Sequence, residues 1–360
     1  MASFSSYFWL ACLALTAGPL AHAEPAPSAS QTATTGVQAS QPLDSASYHG
    51  LTTTNAYVPL SGVPPTIRVT PISAKMRQEF HIPTYYTKGL IVRGIPIASS
   101  DKGSDYALLE CAYTLDHLFK DSPPWVLDAL TKAKARMAMM SSREYTMDLP
   151  ENLEWQTDRS PQKMAFWDER ARGMGGLPDA SCAEENLLNL SSDPYRSENI
   201  TIHEFSHTVA SAIKESNRQW YERLVAAYKH AMATGRFAHT YSASNEQEYW
   251  AEGAQMWFDC AVVKRDSAVH NGIWNREQLK LYDPDLAKLV AEVYGNGSWR
   301  YVRTDGRPLI VNDQIYTRST RDMAHLVGLS RSQIPAFNLA NSPRVRALKA
   351  RTAPSTVPEQ

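Results

Sequence analysis

Along the first fifty residues the apolar positions gather in one block, Phe8 to Leu20. They then give way to Ala, Pro, Ser, Thr and Gln from Glu24 to about Ser47. Such a segment cannot bury enough apolar surface to order itself and is expected to be a flexible spacer. Structure is expected from about Leu51. Two runs of β type follow, Thr66–Pro71 and Gly89–Ile97. Asp105–Phe119 changes to a helical period, with Leu108, Leu109, Tyr113, Leu115 and Phe119 able to share one face. Val126–Ala135 suggests another helix, and the apolar run Met137–Met140 a strand. Asp148 to Ala180 is rich in turn signals, among them Gly173, Gly175 and Gly176. Asn186–Leu190 fits a short strand, and a mostly helical half runs from about Ser197 to Tyr294. The pattern weakens beyond Trp299, and Thr352–Gln360 has the look of a frayed end. Strands first and helices later, with no internal repeat, predict one α+β domain over residues 51–300 and an extension over 301–360.

Composition narrows the function classes. The chain has 360 residues with 36 Lys+Arg against 37 Asp+Glu, so it lacks the basic excess of a nucleic-acid partner. Charged residues make up 20%, too few for a charge-driven disordered chain. No window after the first block offers the run of about 20 apolar residues needed to span a bilayer. That block ends at Ala21-His22-Ala23, which fits the small-x-small rule for leader cleavage, although no Lys or Arg precedes Arg68. Residues 1–23 are therefore expected to be a signal peptide cleaved after Ala23, residues 24–50 a disordered spacer, and the protein secreted or periplasmic. Cleavage would leave Cys111, Cys182 and Cys260. One disulfide plus a free thiol, or three buried thiols, both satisfy that count. Their spacing is unlike a CxxC pair, so a cysteine-based zinc site is not expected.

The chemistry concentrates at His203-Glu204-Phe205-Ser206-His207. On a helix, positions i and i+4 share a face, so both imidazoles can address one ion. Glu204 lies beside them, able to reach a water without itself ligating. Phe205, Val209, Ala212 and Ile213 can form an apolar face toward the core, and Asn199-Ile200-Thr201 supplies capping residues. A catalytic site needs a third ligand. The metzincin extension would require Gly at 210 and His at 213, where the chain has Ala210 and Ile213. The gluzincin solution, a Glu from a later helix with another acidic residue four positions on, fits Asn245-Glu246-Gln247-Glu248-Tyr249-Trp250-Ala251-Glu252-Gly253. Glu248 and Glu252 would share a face with Gln255. Taken alone, this reads sooner as an amphipathic helix with its carboxylates in water; beside His203-Glu204-Phe205-Ser206-His207 the ligand reading is the better one.

Taken together, His203–His207, Tyr241 and the Asn245–Glu252 segment resemble the catalytic domain of anthrax toxin lethal factor and its relatives, gluzincin metallopeptidases. The likeness covers roughly Ile200 to Phe258. It implies a zincin-like fold and one Zn2+ per chain, held by His203, His207 and Glu248. Glu204 would be the general base, Tyr241 a donor to the transition state, and Glu252 an outer-sphere residue. The expected activity is hydrolysis of peptide bonds in a peptide or protein substrate. The chain departs from lethal factor at Tyr249-Trp250, where two Phe would stand, and at Ser206, where Gly would stand. The alternatives are a zinc-bearing binding or adhesion module without turnover, and a hydrolase of a non-protein amide such as cell-wall peptide.

Other features are weaker. Asn186–Leu190 precedes the zinc helix, where gluzincins carry an edge strand, though a buried strand fits as well. Asn189, Asn199 and Asn296 begin glycosylation sequons. Arg170 and Arg172 can bind a substrate carboxylate but more commonly serve ion pairs, and His230 and His239 read as surface or packing residues.

Overall fold

A computed structural model describes residues 68–190, 192–195, 198–262, 270–303, 309–311, 314–316 and 342–352. The expected leader (1–23) and spacer (24–50) lie outside the described residues. The architecture is mixed α+β. Strand β1 (Thr70–Pro71) leads through helix α1 (Ala74–Phe80) to the hairpin β2 (Lys88–Val92) and β3 (Ile95–Ser99). The expected single run Gly89–Ile97 is thus two strands. Arg93 and Gly94 both take positive φ, 47° and 80°, and fold it back on itself. Helices α2 (Asp105–Leu118) and α3 (Pro124–Lys132) cross over to β4 (Arg136–Met140), which lies parallel to β3.

The stretch expected to be mainly turns, residues 148–180, holds two helices, α4 (Pro150–Trp155) and α5 (Pro161–Arg170), each with Pro at its first position. Their shortness and lack of a clean apolar stripe hid them. Next come β5 (Gly173–Met174), β6 (Asp179–Ala183) and the one-turn helix α6 (Glu184–Leu187). The six-stranded sheet has the order β1-β2-β3-β4-β6-β5, with β3, β4 and β6 parallel and β5 antiparallel at the end.

The proposed strand Asn186–Leu190 does not form. Those residues finish α6 and turn away, with Asn189 at φ 51°. The Asn186 side chain explains why. Its amide nitrogen donates to Glu198 O and Asp193 Oδ2, and its oxygen accepts from Ile200 N. The segment is a buried polar brace, and the strand ending the sheet is β5.

Every residue of β4 is buried because the sheet is covered on both faces. Met137 and Met139 face the main core with α2 and α3, while Ala138 and Met140 meet Met76, Phe80 and Leu149 on the other side. The helical half begins with α7 (Ile200–Ser216) and α8 (Arg218–Ala233). It continues with α9 (Glu246–Trp257), α10 (Arg276–Tyr282) and α11 (Pro284–Tyr294). A two-stranded pair follows, β7 (Leu309–Val311) and β8 (Gln314–Tyr316), and then α12 (Pro343–Thr352). Arg344 of α12 reaches Asp168 at 2.9 Å and Asp148 at 2.8 Å, pinning this late helix onto α5. No helix among the described residues is long and apolar enough to cross a membrane.

Candidate metal centre

Helix α7 starts where Asn199 accepts a hydrogen bond from Ile202 N at 2.9 Å, filling one of the orphan donors of the first turn. The apolar face expected of it is present, but the opposite face is buried as well. Phe205, Val209 and Ile213 pack in the core, while His203, Glu204 and His207 are only 0%, 3% and 1% exposed. Helix α9 is capped by Asn245, whose oxygen accepts from Gln247 N and Glu248 N, both at 2.9 Å. The heptad spacing of Glu248, Glu252 and Gln255 then turns all three side chains to α7.

The register between the two helices is set by Trp250, whose indole N–H donates to Ser206 O at 2.8 Å. Ser206 Oγ in turn lies 2.8 Å from the Tyr294 hydroxyl, and Tyr294 stacks on Trp250. Tyr249 donates to Asp283 Oδ2 at 2.7 Å. Ser206, Tyr249 and Trp250 thus lock α7, α9 and α11 together.

The result is a converging set. His203 Nε2 and His207 Nε2 are 3.3 Å apart, and Glu248 Oε2 lies 3.2 Å from the first and 3.4 Å from the second. One ligand atom from each of His203, Glu204 and His207 also falls within a 4.8 Å span, a buried group that can hold a metal ion. His203 Nδ1 lies 2.9 Å from Gln255 Oε1. That oxygen is only an acceptor, so Nδ1 carries the proton and Nε2 is the nitrogen offered to the group. His207 Nδ1 and Glu204 Oε2 are buried without hydrogen-bond partners.

Charge in the site is strongly perturbed. Burial disfavours the His203 imidazolium, yet the hydrogen bond it donates to Glu248 and the charges of Glu204, Glu248 and Glu252 outweigh it and raise the pKa to about 10. Glu248 is the converse. Burial pushes it up, but His207 and His203 prevail and hold it at about 2. Glu204 rises to about 8, chiefly through burial. Glu248 and Glu198 add to that rise, while His203 and a hydrogen bond from Gly175 N–H oppose it.

That Gly175 contact comes from the residue directly after β5, the strand the sheet leaves at its end. A Cβ on Gly175 would come within 2.6 Å of both Glu204 O and His207 Cβ, so only glycine lets the backbone lie against α7 here. Tyr195 steadies the same strand, its hydroxyl accepting from Arg172 N at 3.0 Å. Gly175 and Gly176 had carried only a turn signal in the sequence.

Tyr241 lies in a single 3-10 turn, Tyr241–Ala243, that leads into α9. Half-buried, it is the member of the set with most surface, and its hydroxyl donates to Glu248 Oε1 at 3.0 Å. Glu252 stands 3.9 Å from His203 Nδ1, farther than Gln255. Glu198 and His270 complete the surroundings. No spacing links them to His203–His207, so the sequence held no signal for them.

The remaining candidates take structural roles. Arg172 is buried and paired with Glu185 at 2.5 Å. Arg170 closes the last turn of α5. His230 pairs on the surface with Asp285, and His239 is exposed. Cys111, Cys182 and Cys260 are free and buried. Among the sequons, Asn189 and Asn199 are buried and Asn296 is exposed. Compared with known proteins, the chain matches no family model, no curated protein and no solved structure.

Proposed function

We propose that the chain is a zinc-dependent peptidase of zincin-like, gluzincin type, with His203, His207 and Glu248 as the ligands. The observation that carries this is the triangle of 3.2, 3.3 and 3.4 Å among His203 Nε2, His207 Nε2 and Glu248 Oε2. Tetrahedral ligands about 2.0–2.1 Å from a zinc ion stand about 3.3–3.4 Å from one another. Two imidazole nitrogens at van der Waals separation have little to offer each other, and a shared cation satisfies both. When bound, the cation supplies a Lewis acid that polarises the scissile carbonyl and makes water acidic enough to react at neutral pH.

The chain's own groups do the rest. Glu204 is held on one side by Gly175 N–H and keeps Oε2 without a partner. That oxygen takes the proton of the attacking water and passes it to the leaving amine. Its raised basicity suits both transfers near neutral pH. Tyr241 turns its hydroxyl from Glu248 to the carbonyl oxygen as charge develops there. Strand β5, at the end of the sheet and against α7, aligns an extended peptide by backbone pairing. Glu252 belongs to the outer sphere.

The test joins metal analysis to a cleavage assay on a diverse peptide library, with and without chelator. Close to one zinc per chain and chelator-sensitive cleavage are expected. Glu204→Gln should keep the zinc and lose about 10²-fold or more in rate. Zinc without cleavage of any peptide would leave a binding module, and zinc retained in full by Glu248→Ala would remove the third ligand.

A further inference from the structure

Behind the proposed ligands, five side chains close a ring. His203 Nδ1 lies 2.9 Å from Gln255 Oε1, and Gln255 Nε2 lies 3.4 Å from both Glu198 Oε2 and Asn199 O. Glu198 Oε1 is 3.7 Å from His270 Nε2, and His270 Nδ1 is 3.3 Å from Glu252 Oε2. Glu252 Oε1 returns to His203 Nδ1 at 3.9 Å. All five residues are buried. The ring ties together the residue before the α7 cap, α7 itself, α9, and the chain that follows α9.

Two acceptors therefore stand near His203 Nδ1, the neutral amide oxygen of Gln255 and the carboxylate of Glu252. An ionised acceptor makes the shorter and stronger hydrogen bond when it is free to do so. Yet the amide holds the 2.9 Å position and the carboxylate stands off. Glu252 makes no hydrogen bond to His203, and His270, at 3.3 Å, is nearer to it than His203 is. The two nitrogens of His270 face two different carboxylates, one on each side of the ring.

We propose that His270 is a positioning residue of the metal centre: by bridging Glu198 and Glu252 it withholds Glu252 from His203, leaving Gln255 as the partner of Nδ1. This rests on His203 being a ligand, since the partner on Nδ1 fixes the ring orientation and tunes the basicity of Nε2. A carboxylate in that place would change both.

The experiment reads the His203 Nδ1 proton by NMR of the metal-free, histidine-labelled protein, and zinc affinity by competition with a chelator. His270→Ala should move the Nδ1 resonance downfield as Glu252 takes over, and change zinc affinity by about tenfold or more. His270→Ala combined with Glu252→Gln removes the stranded charge and should restore the resonance. Glu252→Gln alone, which does not depend on His270→Ala folding, should leave the Nδ1 resonance near wild type. If Glu252→Gln alone shifts the resonance, Glu252 is itself the partner of His203 and the proposal falls. It falls too if His270→Ala changes neither reading. Failure of the wild-type protein to bind zinc would overturn the ligand assignment instead, while the NMR readings would still decide the role of His270.

Discussion

Replacing Tyr241 by Phe removes one oxygen and leaves the ring, whose centroid stands 6.4 Å from that of His203, nearly parallel to it. The hydroxyl donates to Glu248 Oε1 at 3.0 Å. A hydrogen bond to a charged group contributes about 1.5–3 kcal/mol when buried, and Tyr241 is only half-buried, so the lower part of that range applies. If steadying Glu248 were its whole task, the variant would bind zinc more weakly and recover its full rate once zinc was saturating. The proposed role makes a different demand. The donor acts on the carbonyl oxygen only as negative charge builds there, and losing one such donor costs about 2.7–4 kcal/mol, or 10²–10³ in kcat. Steady-state cleavage of a library-derived peptide at saturating zinc separates the two. We expect kcat to fall by about 10²–10³ with KM and zinc content almost unchanged. Full recovery of kcat with excess zinc would refute the transition-state role, and a rise in KM alone would make Tyr241 a substrate contact.

Gly175→Ala should be far more harmful than its size suggests. Its Cβ meets Glu204 O and His207 Cβ at 2.6 Å, so the backbone just after β5 must leave α7 at about 1–3 kcal/mol, read as a lower Tm together with lost cleavage; an unchanged Tm would mean that segment yields freely. Zinc binding at pH 7 should release between about one and two protons, because His203, with a pKa of about 10, must give up its proton to ligate, and Glu204, raised to about 8, is drawn toward ionisation by the cation. Calorimetry in buffers of different ionisation enthalpy counts them, and no release would show His203 to be neutral beforehand. Away from the site, burial raises the pKa of Glu151, with the charge of Asp179 adding to it against the Tyr86 hydrogen bond. A folded-state pKa above the unfolded one gives stability that is full below about 4.5 and declines as pH rises through the raised value. Urea melts of the metal-free protein should therefore weaken from pH 5 to 8, and Glu151→Gln should flatten that slope; an equal slope in both proteins would refute it.

What the sequence determined by itself was local. The four-residue spacing of His203 and His207, the capping residues around Asn199, and the placing of Glu248, Glu252 and Gln255 on one helical face all follow from helix geometry, which needs only neighbouring residues. Helices α2 and α3 and strand β4 were legible for the same reason. The tertiary structure decided which groups meet. Whether Glu248 faced solvent or His203 depended on how α9 crosses α7, and that crossing is set by Trp250, Ser206 and Tyr294, drawn from three separate helices. Asn186–Leu190 carried an apolar pattern that suited a strand. A brace of hydrogen bonds to Asp193, Glu198 and Ile200 claimed it instead, and the place at the end of the sheet went to the two residues of β5, too short to leave a pattern. His270 shows the limit most plainly. It joins Glu198 and Glu252 across the fold, and contacts between residues far apart in the chain leave no period in it to read.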